Sequence, residues 1–162
     1  MTPSALILSL ALVASAAAIV WSTVSDVRAY VIPNSASILI VASYLLTSVF
    51  TPYAHLGGGL IAGLGCLVLG LGLFALGWMG GGDVKLFAAM ALWSGPAGLP
   101  AFAIITCVAG AALALFMLSP LRRLAPAPSA AAAATVTQPM PYGVAIAVGG
   151  IWVLAQYLRF LV

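Results

Sequence analysis

Polar side chains break an otherwise apolar chain at only a few places, and those places divide it into segments. Apolar stretches cover residues 4–25, 35–52, 57–79, 83–93, 99–118 and 142–161. Between them stand Pro33-Asn34, Pro52, Gly80-Gly81-Gly82, Gly95-Pro96, Pro120 and Pro139/Pro141, residue types that interrupt helices. A membrane span takes about 20 mainly apolar residues. The pattern therefore predicts an all-α, polytopic transmembrane helix bundle of about six spans, forming one domain over residues 1–162. The fourth stretch is short for a crossing. It is expected either to continue toward Leu99 or to pack as a half-span inside the bundle.

Composition makes lipid the solvent. Of 162 residues, 65% are hydrophobic, and only five Lys or Arg and two Asp or Glu carry formal charge. A water-soluble domain has about a quarter of its residues charged. Five cations are too few for a nucleic-acid surface, so no nucleic-acid partner is expected, and they read better as topology signals. With six crossings, the loops after spans one, three and five share a side and hold Arg28, Lys85, Arg122 and Arg123. The opposite loops hold no Lys or Arg, and only Arg159 falls on that side. Cytoplasmic loops carry the excess of Lys and Arg, which places the first set in the cytoplasm and both termini outside. The first run contains small-residue triplets, but no cation precedes Arg28 and the run is long for a signal core; a retained span is expected.

The third run is rich in glycine, with Gly59-xxx-Gly63 and Ala62-xxx-Cys66 at the spacing that lets helices approach closely in lipid. Residues 122–141 form the only long non-apolar stretch, Pro- and Ala-rich, and read as a cytoplasmic loop or short surface helix. Cys66 and Cys107 lie inside apolar runs and read as small hydrophobes.

Few side chains remain for chemistry. One histidine, His55, on the outer side, and two scattered cysteines supply neither a nucleophile–base pair nor a zinc ligand set, so no metal and no cofactor are expected. The two carboxylates are different. Asp26 closes the first run and Asp83 opens the fourth, on the same side and at similar depth. An acid at the bilayer centre costs about 2.5–3.5 kcal/mol on insertion scales, which makes it a functional candidate by default. Facing aspartates share one proton, and the ionised member takes a proton from water while the protonated member donates to a carbonyl oxygen. Singly, each has a plainer explanation: Asp83 as a helix N-cap, and Asp26 as an interfacial partner of Arg28.

The contexts are more specific. Asp26 stands in Ser25-Asp26-Val27-Arg28-Ala29-Tyr30-Val31-Ile32-Pro33-Asn34, and Asp83 in Gly80-Gly81-Gly82-Asp83-Val84-Lys85-Leu86. With Pro139-Met140-Pro141-Tyr142-Gly143-Val144-Ala145, these resemble the type IV prepilin peptidase family of GxGD-type membrane aspartyl proteases, in that family's order. The compact peptidases of tight-adherence (Flp) pilus systems are the more similar kind, because the chain lacks the zinc-binding, methylating region of larger members. The resemblance implies an inner-membrane aspartic endopeptidase that removes the leader of prepilins or pseudopilins at the cytoplasmic face. Its catalytic pair would be Asp26 and Asp83, its partners the prepilin, the bilayer and the pilus assembly machinery. Pro33, Asn34, Lys85, Pro141 and Gly143 would be supporting positions: Pro33-Asn34 to set the turn into the second span, Lys85 to face the site or lipid phosphate. Gly80 and Gly82 would shape a non-helical strip beside Asp83 along which an extended leader is held, with Gly81 pointing away. Two other classes fit the composition: a small proton-coupled transporter with relay aspartates, and a non-catalytic pilus or secretion assembly subunit. Neither explains why both carboxylates stand in these two motifs.

Overall fold

The computed structural model describes residues 2–120 and 140–161, and they are helical throughout apart from short turns. Among these residues five α-helices follow in order: α1 Pro3–Ala29, α2 Asn34–Phe50, α3 Leu56–Ala75, α4 Gly81–Leu118 and α5 Tyr142–Tyr157, the last continuing into a 3-10 turn, Leu158–Phe160. Among the described residues there is no strand. The expected loop at 122–141, with Arg122, Arg123 and Pro139, lies outside the described residues except at its end.

Local chemistry sets the boundaries. Thr2 caps α1 through its side chain, which accepts the Ala5 N–H, and Pro3 occupies the first turn, where its missing N–H costs nothing. Rather than ending before Asp26, α1 runs on to Ala29 and stops where Tyr30 turns left-handed (φ 52°). Asp26 thus lies within the last turn of a helix. Pro33 precedes α2, and the Ser25 hydroxyl donates to the Val31 carbonyl at 2.7 Å, closing the turn between the two helices. The third element ends at Ala75, short of the expected Met79. Gly77 takes φ 74°, with Gly77 N–H bonded to Phe74 O and Trp78 N–H to Leu73 O, the paired bonds of a glycine-terminated helix end.

The expected fourth and fifth elements share one 38-residue helix, α4, broken at Gly95 (φ 58°, ψ 178°). Only glycine adopts that conformation without strain, and Pro96 restarts the helix directly after it. The break is a reversal. Phe87 and Phe102 stack with ring centroids 4.6 Å apart, whereas 15 residues of straight helix would separate them by about 22 Å. The first arm, residues 81–94, packs antiparallel on α3 through glycines: a Cβ at Gly59 or Gly63 would collide with Leu92, and one at Gly70 with Val84. The second arm returns along α5, where Gly149 makes room for Phe102 and Thr106. This is the small-residue packing expected of helices that associate in lipid.

Among the described residues, four helical stretches are long and apolar enough to cross a membrane: α1, α3, α4 and Tyr142–Phe160. The expected number was six. Two features account for the difference: α2 has only 17 residues, and the two arms of α4 are continuous in numbering. Large apolar side chains such as Val13, Ile61, Val68, Leu69 and Leu115 point outward, as they do when the surroundings are lipid. Inside, Leu8, Ile19, Ile40, Leu86, Met90, Trp93 and Phe102 form the core.

Candidate active site

One end of the bundle collects the end of α1, the start of α2, the end of α3 and the starts of α4 and α5. Asp26 projects from the buried face of α1, the face that also carries Leu8, Leu12, Ser15, Ile19 and Ser22. It is 5% exposed. Its Oδ2 accepts the backbone N–H of Gly143 at 2.7 Å. Pro141 precedes α5 and Gly143 sits in its first turn, where backbone N–H groups lack partners within the helix and suit an anionic acceptor. A Cβ at residue 143 would stand 2.7 Å from that same Oδ2 and 3.1 Å from Cγ. Gly143 is therefore required by proximity, since its φ is ordinary.

Asp83 is not an N-cap. The cap of α4 is Gly80, in extended conformation, and Asp83 lies three residues inside the helix. Its carboxylate folds back toward the Gly80 backbone N–H, as acidic residues at this position do. A Cβ on Gly80 would come within 2.7 Å of Oδ2. The other oxygen, Oδ1, is buried and has no hydrogen-bond partner among the described residues. Asp26 and Asp83 interact electrostatically, and neither forms an ion pair with Arg28 or Lys85. The suggested Asp26–Arg28 pair is thus not formed.

The two aspartate motifs touch each other. Gly82 lies against Ile32, so close that a Cβ would meet the Ile32 Cβ at 3.0 Å. Lys85 Nζ donates to Asn34 Oδ1 at 2.9 Å. Lys85 is thereby engaged with the Ile-Pro-Asn turn on the exposed side, instead of facing the carboxylates. Pro33 contributes only the extended residue that starts α2. The non-helical strip expected at Gly80–Gly82 shrinks to Gly80 alone, because Gly81 and Gly82 already belong to α4. None of the three has positive φ, and Gly81 faces the Phe74 ring instead of open space.

A cavity of about 370 Å³ opens at the other end of the bundle, lined among others by Tyr44, Tyr53, His55, Trp93, Gly95 and Arg159. Its tyrosines hold the structure together: Tyr44 donates to His55 O at 2.8 Å and Tyr157 to Trp93 O at 2.7 Å. Among the described residues that line it there is no carboxylate side chain, so shape and acid–base chemistry point to opposite ends, and the chemistry decides. Among the described residues no three His, Cys, Asp or Glu side chains come together in a metal-binding group.

Residues 6–115 match the type IV leader peptidase family. The chain belongs to that family. More than half of the chain lies within the match, including both aspartates, the Ile-Pro-Asn turn and Lys85. No curated protein and no solved structure gives a match. A type IV leader peptidase is a protease with a prepilin kind of substrate, and its apolar helices make it a membrane protein. Within this leader peptidase, Ser22 is a buried polar residue one helical turn before Asp26 that the sequence pattern did not single out, because a serine in an alanine-rich span reads as a packing residue.

Proposed function

We propose that the protein is an aspartic endopeptidase of the bacterial inner membrane that cuts the leader from type IV, Flp-like prepilins or pseudopilins at the cytoplasmic face, with Asp26 and Asp83 as its catalytic dyad. One observation carries the reading. The chain has only two acidic side chains, and helices far apart in sequence bring both to one end of the bundle, Asp26 buried and Asp83 partly buried with its Oδ1 enclosed. Burying two carboxylates in an apolar bundle is costly and has no structural return unless they work as a pair.

In the proposed reaction Asp26 is the base. Gly143 N–H fixes one of its oxygens and the other accepts the proton of the attacking water as the water oxygen bonds to the scissile carbonyl carbon. Asp83 is the acid. Its Oδ1, which has no hydrogen-bond partner among the described residues, carries the proton that passes to the carbonyl oxygen, giving a gem-diol. Collapse breaks the C–N bond: the amine nitrogen takes the proton from Asp26, and a gem-diol proton returns to Asp83. Both carboxyl groups end as they began, with no metal or covalent intermediate. The same reading has six crossings, with both arms of α4 counted separately and both termini outside.

Co-expression with a candidate prepilin, scored by the mobility shift of the cleaved product, tests the dyad. Asp26→Asn and Asp83→Asn are each expected to abolish cleavage while membrane levels stay unchanged, since neither partner substitutes for the other. Substantial processing by either single variant would remove the dyad.

A further inference from the structure

In lipid, apolar side chains give a pair of helices no preferred register, so close packing and interhelical hydrogen bonds have to set it. Polar ties are scarce in this bundle. Among the described residues, the bond from Lys85 Nζ to Asn34 Oδ1 is the only side chain–side chain hydrogen bond that joins two helices. An asparagine at a helix start commonly caps it with its own side chain. Asn34 instead follows the Pro33 cap as the first residue of α2 and gives its oxygen to a lysine 51 residues away in sequence.

Each end of that bond is stiffly connected to one carboxylate. Lys85 and Asp83 lie together near the start of α4. Asn34 is joined to the helix of Asp26 by a closed turn, in which Tyr30 N–H bonds Asp26 O at 2.9 Å and the Ser25 hydroxyl bonds Val31 O at 2.7 Å. Ile32, from the same turn, packs on Gly82. A second tie joins the same two helices, where Trp93 Nε1 donates to Ile40 O at 3.3 Å. It lies about 12 Å along α4 from Lys85 and about 9 Å along α2 from Asn34, so α2 and the first arm of α4 run parallel between the two. One tie would leave the helices free to pivot about it. Two at different levels fix the axial register.

We propose that Lys85 and Asn34 are a pair of positioning residues: their hydrogen bond locks the start of α4 to the turn after α1 and so holds Asp83 at the level of Asp26. This rests on the dyad reading above. Neither side chain takes part in the proton transfers, and each acts through the helix that carries it. The bond is exposed, and a single exposed hydrogen bond adds little to the stability of a whole bundle. Its effect is on geometry, where a displacement of about 1 Å costs up to about a hundredfold in rate.

The test is the steady-state kinetics of the purified full-length enzyme on the candidate prepilin that the wild type cleaves. Lys85→Met and Asn34→Ala are each expected to lower kcat about tenfold, with KM and thermal stability unchanged. The double variant is expected to lose no more than either single one, because both remove the same bond. Lys85→Arg keeps a donor and Asn34→Asp keeps an acceptor, and both are expected to recover most of the rate. Asn34→Ala leaves the Lys85 charge in place, which covers the case in which losing a cation disturbs insertion. Losses that multiply in the double variant would overturn the proposal, as would wild-type kcat in both single variants. A raised KM in Lys85→Met beside wild-type kinetics in Asn34→Ala would also overturn it, by showing a lysine that contacts substrate directly. Each of these results leaves the dyad standing as long as Asp26→Asn and Asp83→Asn remain inactive, so the two readings fail separately.

Discussion

The contact between Gly143 and Asp26 is where a single atom matters most. The N–H at 2.7 Å orients the carboxylate, and a methyl group at the same residue would occupy the space that the carboxylate fills. Gly143→Ala is therefore expected to reduce cleavage about 10–100-fold, the consequence of losing or bending a charge-assisted hydrogen bond. Gly65→Ala, whose Cβ would meet nothing within 4 Å, should cleave as the wild type does. Immunoblotting of membrane fractions alongside the cleavage assay separates a damaged site from a missing protein. Equal activity in the two variants would show that α5 does not shape the site. Asp26 and Asp83 were legible in the chain because carboxylates in apolar runs are rare and costly. Gly143 was legible only through its motif, and its role as a donor was not, since that depends on where α5 begins relative to α1.

At the level of elements, the start of α4 differs most from what the glycine run suggests. Three consecutive glycines invite a reading in terms of backbone freedom, yet two of them are helical and all have ordinary φ. What they supply is proximity: Gly80 to its own Asp83, Gly81 to Phe74, Gly82 to Ile32. The contacts are not equal. An alanine at 82 would press on the branched Cβ of Ile32 at 3.0 Å, while one at 81 would meet the edge of the Phe74 ring at 3.3 Å, which turns aside more easily. Gly82→Ala is expected to lower cleavage several-fold more than Gly81→Ala at equal membrane levels, because it separates the two aspartate motifs from each other. A matching response at both positions would leave the run with only a helix-starting role. Gly77 and Gly95 are the glycines whose positive φ the fold uses, one to end α3 and one to reverse α4.

Across the whole molecule, polar chemistry and aromatic packing occupy opposite ends. Asp26, Asp83, Asn34 and Lys85 gather at one. At the other, Tyr44, Trp93 and Tyr157 form edge-to-face pairs with centroids 5.6 and 5.1 Å apart, and Tyr53 stacks on Phe160. Aromatic girdles and cation bias are the two features that orient a bundle in lipid. In a variant with Cys66 and Cys107 replaced, a single cysteine at Val31 should react with an impermeant thiol reagent only from the cytoplasm, as should those at residues 125–137. Cysteines at Pro52 and Gly98 should react only from outside. The reverse labelling would put the aspartates on the wrong face for removing a cytoplasmic leader.

The order of apolar runs and breakers determined by itself that the chain is an all-helical membrane protein, where its turns fall to within a few residues, and which two side chains are costly enough to need a purpose. These are local or compositional properties: hydropathy, the missing proline N–H and the price of a charge in lipid act wherever the residue ends up. Only the tertiary structure decided that Gly81 and Gly82 already belong to α4, that Lys85 bonds Asn34 instead of facing the carboxylates, and that Ser22 lies buried one turn before Asp26 with its hydroxyl unpartnered among the described residues. Each of these depends on which helix stands opposite and at what level. Periodicity along one chain cannot express that, because the register between two packed helices is set by the small residues of both.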